Sequence, residues 1–367
     1  MLRTEAGPFF FVHFRGVRLT EFSFELPPEL VAQQPTPERG QSRLLVLNRA
    51  SGEISDQVFT NLPVLLRRGD LLVVNDTRVF AARLLGRRLP GGGAAECLLV
   101  RRLEARSPGE EVWEALVHPG QRLKESSRLE LGPAEHLLHA EILDRRFHGR
   151  RRVRLWTDTE SVEAAVDRAG HVPLPPYIKR ADEPIDRERY QTVYAAERGS
   201  IAAPTSGLHF TPAILAALDE AGIERVAITL HVGYGTFQPI RVERIEEHEM
   251  EPEHFTVPEA TAAAINRALA EGRRIIAVGT TTTRALESVA TAQGRVEASV
   301  GVTSLFITPG HPFRVVSGLI TNFHLPQSSL LLLVTAFAGR EYVLKAYRHA
   351  VQNRYRFYSY GDANLIL

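Results

Sequence analysis

The second half of the chain alternates punctuated helical windows with short apolar runs, and few folds tolerate that order. Thr211–Pro212 opens a window over 213–221 that Gly222 closes. That is an N-cap hydroxyl, a proline at the first helical position and a glycine past the last. Val257–Pro258 opens a second window closed by Gly272, and a third runs over 282–292 to Gly294. Another helix is expected over 341–353. Apolar runs rich in β-branched residues, 225–232 and 274–278, follow the first two windows and read as buried strands. Strands separated by helices need crossover connections, which pair them in parallel, so this part reads as α/β.

Between residues 70 and 157 the texture changes. Short runs at 71–74, 81–85, 96–101, 112–117, 129–131, 140–143 and 153–156 are separated by turns such as Gly91–Gly93 and Gly149. Close spacing of this kind predicts a small antiparallel barrel. The expected fold is therefore an α/β domain with an inserted small antiparallel β-barrel domain. Residues 1–69 with 158–367 form the discontinuous α/β catalytic domain, and residues 70–157 form the barrel.

Composition narrows the function. At 44% hydrophobic and 24% charged, the 367 residues can bury an ordinary core. Cys97 is the single cysteine, which excludes an intramolecular disulfide and any multi-cysteine metal site. It fits a reducing compartment, so a cytoplasmic location is expected. No run reaches the ~18 apolar residues of a membrane span. The N-terminal run Phe9–Val12 lacks a small-residue cleavage site, so neither membrane nor signal peptide is expected. Net charge is +1, so any nucleic-acid contact must be local. Arg145, Arg146, His148, Arg150, Arg151, Arg152 and Arg154 supply such a patch, which either meets phosphates or is a solvated hairpin.

Several loops carry chemical potential. Ala203–Thr211 places Thr205, Ser206 and His209 just before a capped helix, where unpaired N–H groups suit a carboxylate or phosphate; a plain capping loop reads equally well. His231–Phe237 follows a strand, the usual ligand edge of an α/β sheet, although a lone histidine there is more often a core residue. Gly279–Arg284 offers Thr280, Thr281 and an arginine, but matches neither a Walker loop nor a dinucleotide fingerprint. His248, Glu249, Glu251, Glu253 and His254 cluster without metal-ligand spacing, so no metal is expected. Asn322 and His324 precede an apolar segment, and Tyr355–Tyr360 reads as base-stacking aromatics or as core.

Taken in order, these segments resemble one family over residues 19–367. The resemblance rests on Phe22–Gln33, Ser42–Leu45, Asn75–Val79, Pro173–Ile178, Tyr190–Ala195, Ala203–Thr211, His231–Phe237, Thr321–Pro326 and Tyr355–Asp362. They are similar to the S-adenosylmethionine:tRNA ribosyltransferase-isomerase family of queuosine synthesis. The resemblance implies S-adenosylmethionine as co-substrate and tRNA carrying 7-aminomethyl-7-deazaguanine at the wobble position. It implies epoxyqueuosine in tRNA, adenine and methionine as products, and an α/β domain bearing an inserted barrel.

That chemistry needs a base, an acid for adenine and a clamp for the methionine carboxylate. His209, His231, His248 and His324 are the candidate bases. Thr205, Thr280, Thr281, Arg284 and Asn322 are candidate substrate ligands, with Phe237 to stack on adenine. Asn75, Asp76 and Arg78 either read the modified base or shape the pocket, and Asp76 can instead pair with Arg78. The arginine patch Arg145, Arg146, Arg150, Arg151 and Arg152 would meet tRNA. Two departures stand out. Glu251 occupies the position of a histidine in the family pattern His-x-Met-His-x-Glu, which shifts weight to His248, His231 and His209. Residues 1–16 precede the usual family start, and Val17 is the expected initiation point. A methyltransferase would need a glycine-rich first loop, absent here; a non-catalytic RNA-binding module would not need the histidine and threonine loops.

Overall fold

The computed structural model describes residues 16–146, 149–237 and 240–367, with backbone alone at residue 237. The expected start at Val17 concerns a segment, 1–15, outside the described residues, as is His148 of the arginine patch. In chain order the strands and helices are β1 (Arg43–Leu47), β2 (Ile54–Val58), the single-turn α1 (Leu62–Leu65), β3 (Leu71–Asn75) and β4 (Thr77–Val79). There follow β5 (Arg83–Leu89), β6 (Ala94–Ser107), β7 (Glu110–His118), β8 (Arg128–Leu131), β9 (Leu138–Arg145) and β10 (Arg150–Trp156). Next come α2 (Val162–Ala169), the single-turn α3 (Asp186–Arg189), β11 (Glu197–Ser200), α4 (Pro212–Glu220), β12 (Glu224–Leu230), β13 (Glu253–Val257) and α5 (Glu259–Ala270). The chain continues through β14 (Ile275–Val278), α6 (Thr280–Ser288), β15 (Ser299–Thr303), β16 (Gly318–Asn322), α7 (Ser329–Ala338), α8 (Arg340–Gln352) and β17 (Ala363–Ile366).

Among the described residues, nine strands form one sheet in the order β15-β13-β12-β3-β14-β16-β17-β1-β2. Its centre is parallel: β12 with β3, β3 with β14, and β14 with β16. Leu71, Val73, Ile275 and Ala277 pack on one face, in the larger core, while Leu72, Val74, Ile276 and Val278 pack on the other, against Ile214 and Leu218 of α4. Both faces are covered, so these strands read as unbroken apolar runs without alternation.

β5 to β10 close into an antiparallel barrel, ordered β10-β7-β6-β5-β8-β9, and Cys97 lies inside it. Burial pushes that thiol up to about 12, which keeps it protonated and unreactive. The α/β domain with a small barrel expected from the sequence is thus the observed architecture. One run belongs elsewhere: Leu71–Val74, grouped by spacing with the barrel, forms β3 at the centre of the large sheet, and the barrel strands span 83–156. No helix among the described residues is long and apolar enough to cross a membrane.

Local chemistry sets the helix starts. Thr211 accepts from the Ile214 N–H with Pro212 at the first helical position, as its sequence predicts. α6 starts two residues earlier than the threonine run suggests, because Gly279 adopts φ +96° and turns β14 directly into the helix.

Candidate active site

The four parallel strands β12, β3, β14 and β16 end at one edge, the edge at which α/β sheets collect ligands. His231 follows β12, Asp76 follows β3, Gly279–Thr281 follow β14, and Asn322 closes β16 ahead of His324. A cleft of about 60 Å³ lies there, lined by Thr205, Ser206, Thr280, Thr281, Asn322, His324 and Tyr358 among others. Five residues expected from scattered loops therefore meet. The first-turn N–H groups of α6 have no partner within their own helix, so this edge favours an anion.

Two histidines are wired into the walls. His209 Nδ1 lies 2.8 Å from Ser42 Oγ and Nε2 lies 3.3 Å from Asn322 Oδ1. Asn322 Nδ2 donates to the carbonyl oxygen of Tyr358 at 2.8 Å, which assigns Oδ1 as the acceptor from the imidazole. Nε2 then carries the proton and Nδ1 accepts from Ser42. Burial pushes His209 down to about 4, so the ring is neutral and both nitrogens are engaged. It orients Asn322 and has no lone pair left for a substrate. His324 pairs through Nε2 with Thr321 Oγ1 at 2.8 Å, and burial pushes it down to about 3.

A second cavity, about 1090 Å³, separates the barrel wall at Trp113, Glu114 and Arg150 from the sheet edge at His231, Glu251 and Glu253. Val232 lines both cavities. His231 Nδ1 sits 2.8 Å from Thr77 Oγ1, which makes a long 3.5 Å bond to the Glu197 carbonyl oxygen. If the hydroxyl donates to Glu197, Nδ1 is the protonated nitrogen and Nε2 carries the lone pair. Gly199 allows the ring this position, since a Cβ there would lie 2.6 Å from His231 Cε1. Burial, helped by His254, lowers the His231 pKa, so the ring is neutral near pH 7.

The residues after β3 divide. Asn75 is fully buried; its side chain donates to Leu230 O and accepts from the N–H groups of Leu230 and Thr77. It shapes the edge and does not face a ligand. Asp76 accepts from Thr229 Oγ1 at 2.6 Å, and burial raises its pKa. Arg78 is exposed on β4, and no Asp76–Arg78 pair occurs among the described residues.

Arg284 is not an open clamp. It is 3% exposed and paired with Glu253, itself 4% exposed. Its Nε donates to Leu305 O at 2.9 Å, and Nη2 has no partner among the described residues. Glu253 in turn accepts from the Gly233 N–H (3.1 Å) and Thr236 Oγ1 (3.2 Å), fixing the loop after His231. The sequence shows Glu253 as one acid in a charged cluster; the signal was its place on β13, where alternation turns it inward. His248 packs edge-on against Phe306 and lines neither cavity. The Phe237 backbone closes a 3₁₀ turn, and its side chain lies outside the described residues.

The arginine patch is largely internally compensated. Arg146 and Arg152 both pair with Asp144. Arg150 bridges Glu114 of the barrel (2.8 Å) and Glu251 (2.7 Å), so Glu251 ties the barrel to the segment ahead of β13. Arg151 is buried and donates to the carbonyls of Gly120, Gly149 and Arg150. Arg145 is exposed and has no ion pair among the described residues. No cluster of His, Cys, Asp or Glu arranged for a metal occurs among them either.

A family model described as "Queuosine biosynthesis protein" matches residues 19–366. The S-adenosylmethionine:tRNA ribosyltransferase-isomerase of Moorella thermoacetica is 51% identical over 351 residues, 96% of this chain and 100% of that one. Its counterpart in Desulfitobacterium hafniense is 49% identical with the same coverage. The crystal structure of S-adenosylmethionine tRNA ribosyltransferase from Thermotoga maritima is 38% identical, with a TM-score of 0.53 over 95% of this chain and 100% of that chain. The chain therefore belongs to the queuosine biosynthesis family of S-adenosylmethionine:tRNA ribosyltransferase-isomerases.

Proposed function

We propose that the enzyme transfers and isomerises the ribosyl group of S-adenosylmethionine onto 7-aminomethyl-7-deazaguanine at the tRNA wobble position. The products are epoxyqueuosine-tRNA, adenine and methionine, and the reaction runs in the cytoplasm without a metal. One observation carries this reading: the small anion-favouring cleft and the large inter-module cavity share the wall at Val232.

The small cleft suits the methionyl end of the co-substrate. Its carboxylate faces the N-terminus of α6, with Thr280, Thr281 and Thr205 as hydroxyl partners. The ribose then extends past Val232 toward the larger cavity, which has room for an extruded tRNA base. His231 stands at that junction as the general base. The sulfonium acidifies the C5′ hydrogens, and neutral Nε2 takes one. Elimination within the ribose releases adenine, the tRNA amine attacks the activated sugar, and methionine departs. Adenine leaves with a proton, which balances the one that His231 takes from C5′. Arg145, the exposed arginine of the barrel hairpin without an ion pair among the described residues, meets the tRNA backbone.

The test is incubation with S-adenosylmethionine and tRNA bearing the deazaguanine amine. Adenine and methionine in equal amounts support the reading. Formation of S-adenosylhomocysteine, or tRNA binding with no co-substrate consumed, overturns it.

A further inference from the structure

Tyr358 has a conformation and surroundings that packing alone does not explain. It lies between α8 and β17 at φ +73°, in the left-handed region that bulky L-residues rarely adopt. Three hydrogen bonds hold the backbone there. Its N–H donates to Phe323 O (3.1 Å), and its carbonyl accepts from Asn322 Nδ2 (2.8 Å) and from the Gly361 N–H (2.9 Å). Asn322 is itself oriented by His209, which Ser42 holds in turn, so a buried polar chain supports the backbone at Tyr358 and, more weakly, at Ser359.

The ring faces the cleft. It stacks on Tyr177, with centroids 3.9 Å apart, and both rings line the cavity with Thr280 and His324. The neighbouring Tyr355 and Phe357 are fully buried in the core, whereas Tyr358 packs against the edge of that core and stays only half-buried. The Tyr358 hydroxyl oxygen is buried and has no hydrogen-bond partner among the described residues. Burial pushes its pKa up, so it keeps its proton as a donor. By contrast the Tyr177 hydroxyl lies 2.6 Å from Ser359 Oγ. A buried donor left unmatched is costly, and backbone strain persists where the surroundings enforce it, typically at ligand sites.

We propose that Tyr358 contacts the co-substrate: its ring lines the cleft, and its unmatched hydroxyl donates a hydrogen bond to an acceptor atom of S-adenosylmethionine. This rests on the placement of S-adenosylmethionine in the cleft given above.

The test uses the full chain and Tyr358→Phe, which removes one oxygen and keeps the ring. S-adenosylmethionine affinity by calorimetry should fall about tenfold, which corresponds to ~1.4 kcal/mol. kcat/KM for adenine release should fall by a similar factor. Methionine and 5′-methylthioadenosine serve as separate probes, and the one whose affinity drops identifies the half of the co-substrate that is contacted. The melting temperature without ligand should be unchanged or higher, because an orphaned polar group is removed. Unchanged affinity and turnover in Tyr358→Phe, with active wild type, overturns the role of Tyr358 alone. A lower ligand-free melting temperature with unchanged affinity does the same, by assigning the hydroxyl to the fold. Wild type that binds no S-adenosylmethionine overturns the placement of the co-substrate itself.

Discussion

Arg284 and Glu253 form an ion pair shut away from water, with 3% and 4% of their side chains exposed. The pair joins α6 to β13, and through Glu253 it reaches the backbone of Gly233 beside His231. Removing one member strands the other charge. Arg284→Met should destabilise the protein by about 3–5 kcal/mol in urea denaturation. Adding Glu253→Gln to that variant should restore much of the loss, because no charge is then left buried. A loss under ~1 kcal/mol in the single variant would show that water reaches the pair.

His231 is predicted to act in the chemical step and not in tRNA capture. His231→Gln should lower adenine release by about 10²–10⁴ while tRNA affinity stays within about twofold. Thr77→Val should give a smaller loss, since it removes the partner that fixes the ring. Burial lowers the His231 pKa, so the acid limb of the kcat/KM profile should inflect below the ordinary histidine value. A limb at the ordinary value would assign the base elsewhere.

Acid should destabilise the fold before most carboxylates titrate. His209 and His324 are held near 4 and 3, below the ~6.5 of an unfolded histidine. The unfolded chain therefore takes up protons that the native one refuses. Stability is complete above pH ~6.5 and falls as pH drops toward the native values. Two such groups give a slope of at most ~2.7 kcal/mol per pH unit, reached well below pH 6.5, or roughly 3 kcal/mol between pH 6.5 and 5. Urea midpoints at those two pH values measure it, and His209→Gln should remove about half of the slope. An unchanged slope in that variant would contradict the assigned neutral ring.

The arginines of the barrel hairpin should separate by salt dependence. Arg145→Ala should reduce the slope of log affinity for tRNA against log salt by about one contact. Arg151→Ala should leave that slope alone and lower the melting temperature, because its guanidinium is spent on the carbonyls of Gly120, Gly149 and Arg150. A changed slope in Arg151→Ala would mean that this end of the barrel opens on tRNA.

Much of the fold is legible in the residues. The Thr211–Pro212 start and the Gly222 stop bracket α4 because capping chemistry is local. β3 is misgrouped because a short apolar run reads alike in a barrel wall and in a sheet buried on both faces. The convergence of Thr205, Thr280, Thr281, Asn322 and His324 follows from the family resemblance and from strand order, which no single loop shows. What stayed hidden are partners distant in sequence. Arg284 looks like a clamp until Glu253 is seen on it, and the arginine patch looks basic until Asp144, Glu114 and Glu251 are set against it. Tyr358 gives no local signal, because a tyrosine among aromatics does not announce a left-handed backbone.

The position of β17 between β16 and β1 has a consequence for synthesis. The hairpin β1–β2 leaves the ribosome long before its parallel neighbour β17; the Arg43 N–H waits for a carboxylate 319 residues away. At elongation rates of ~5–20 residues per second, that wait is roughly 15–60 s. Throughout it an apolar strand edge stands unmatched, and a chaperone able to hold it would raise the yield of active protein.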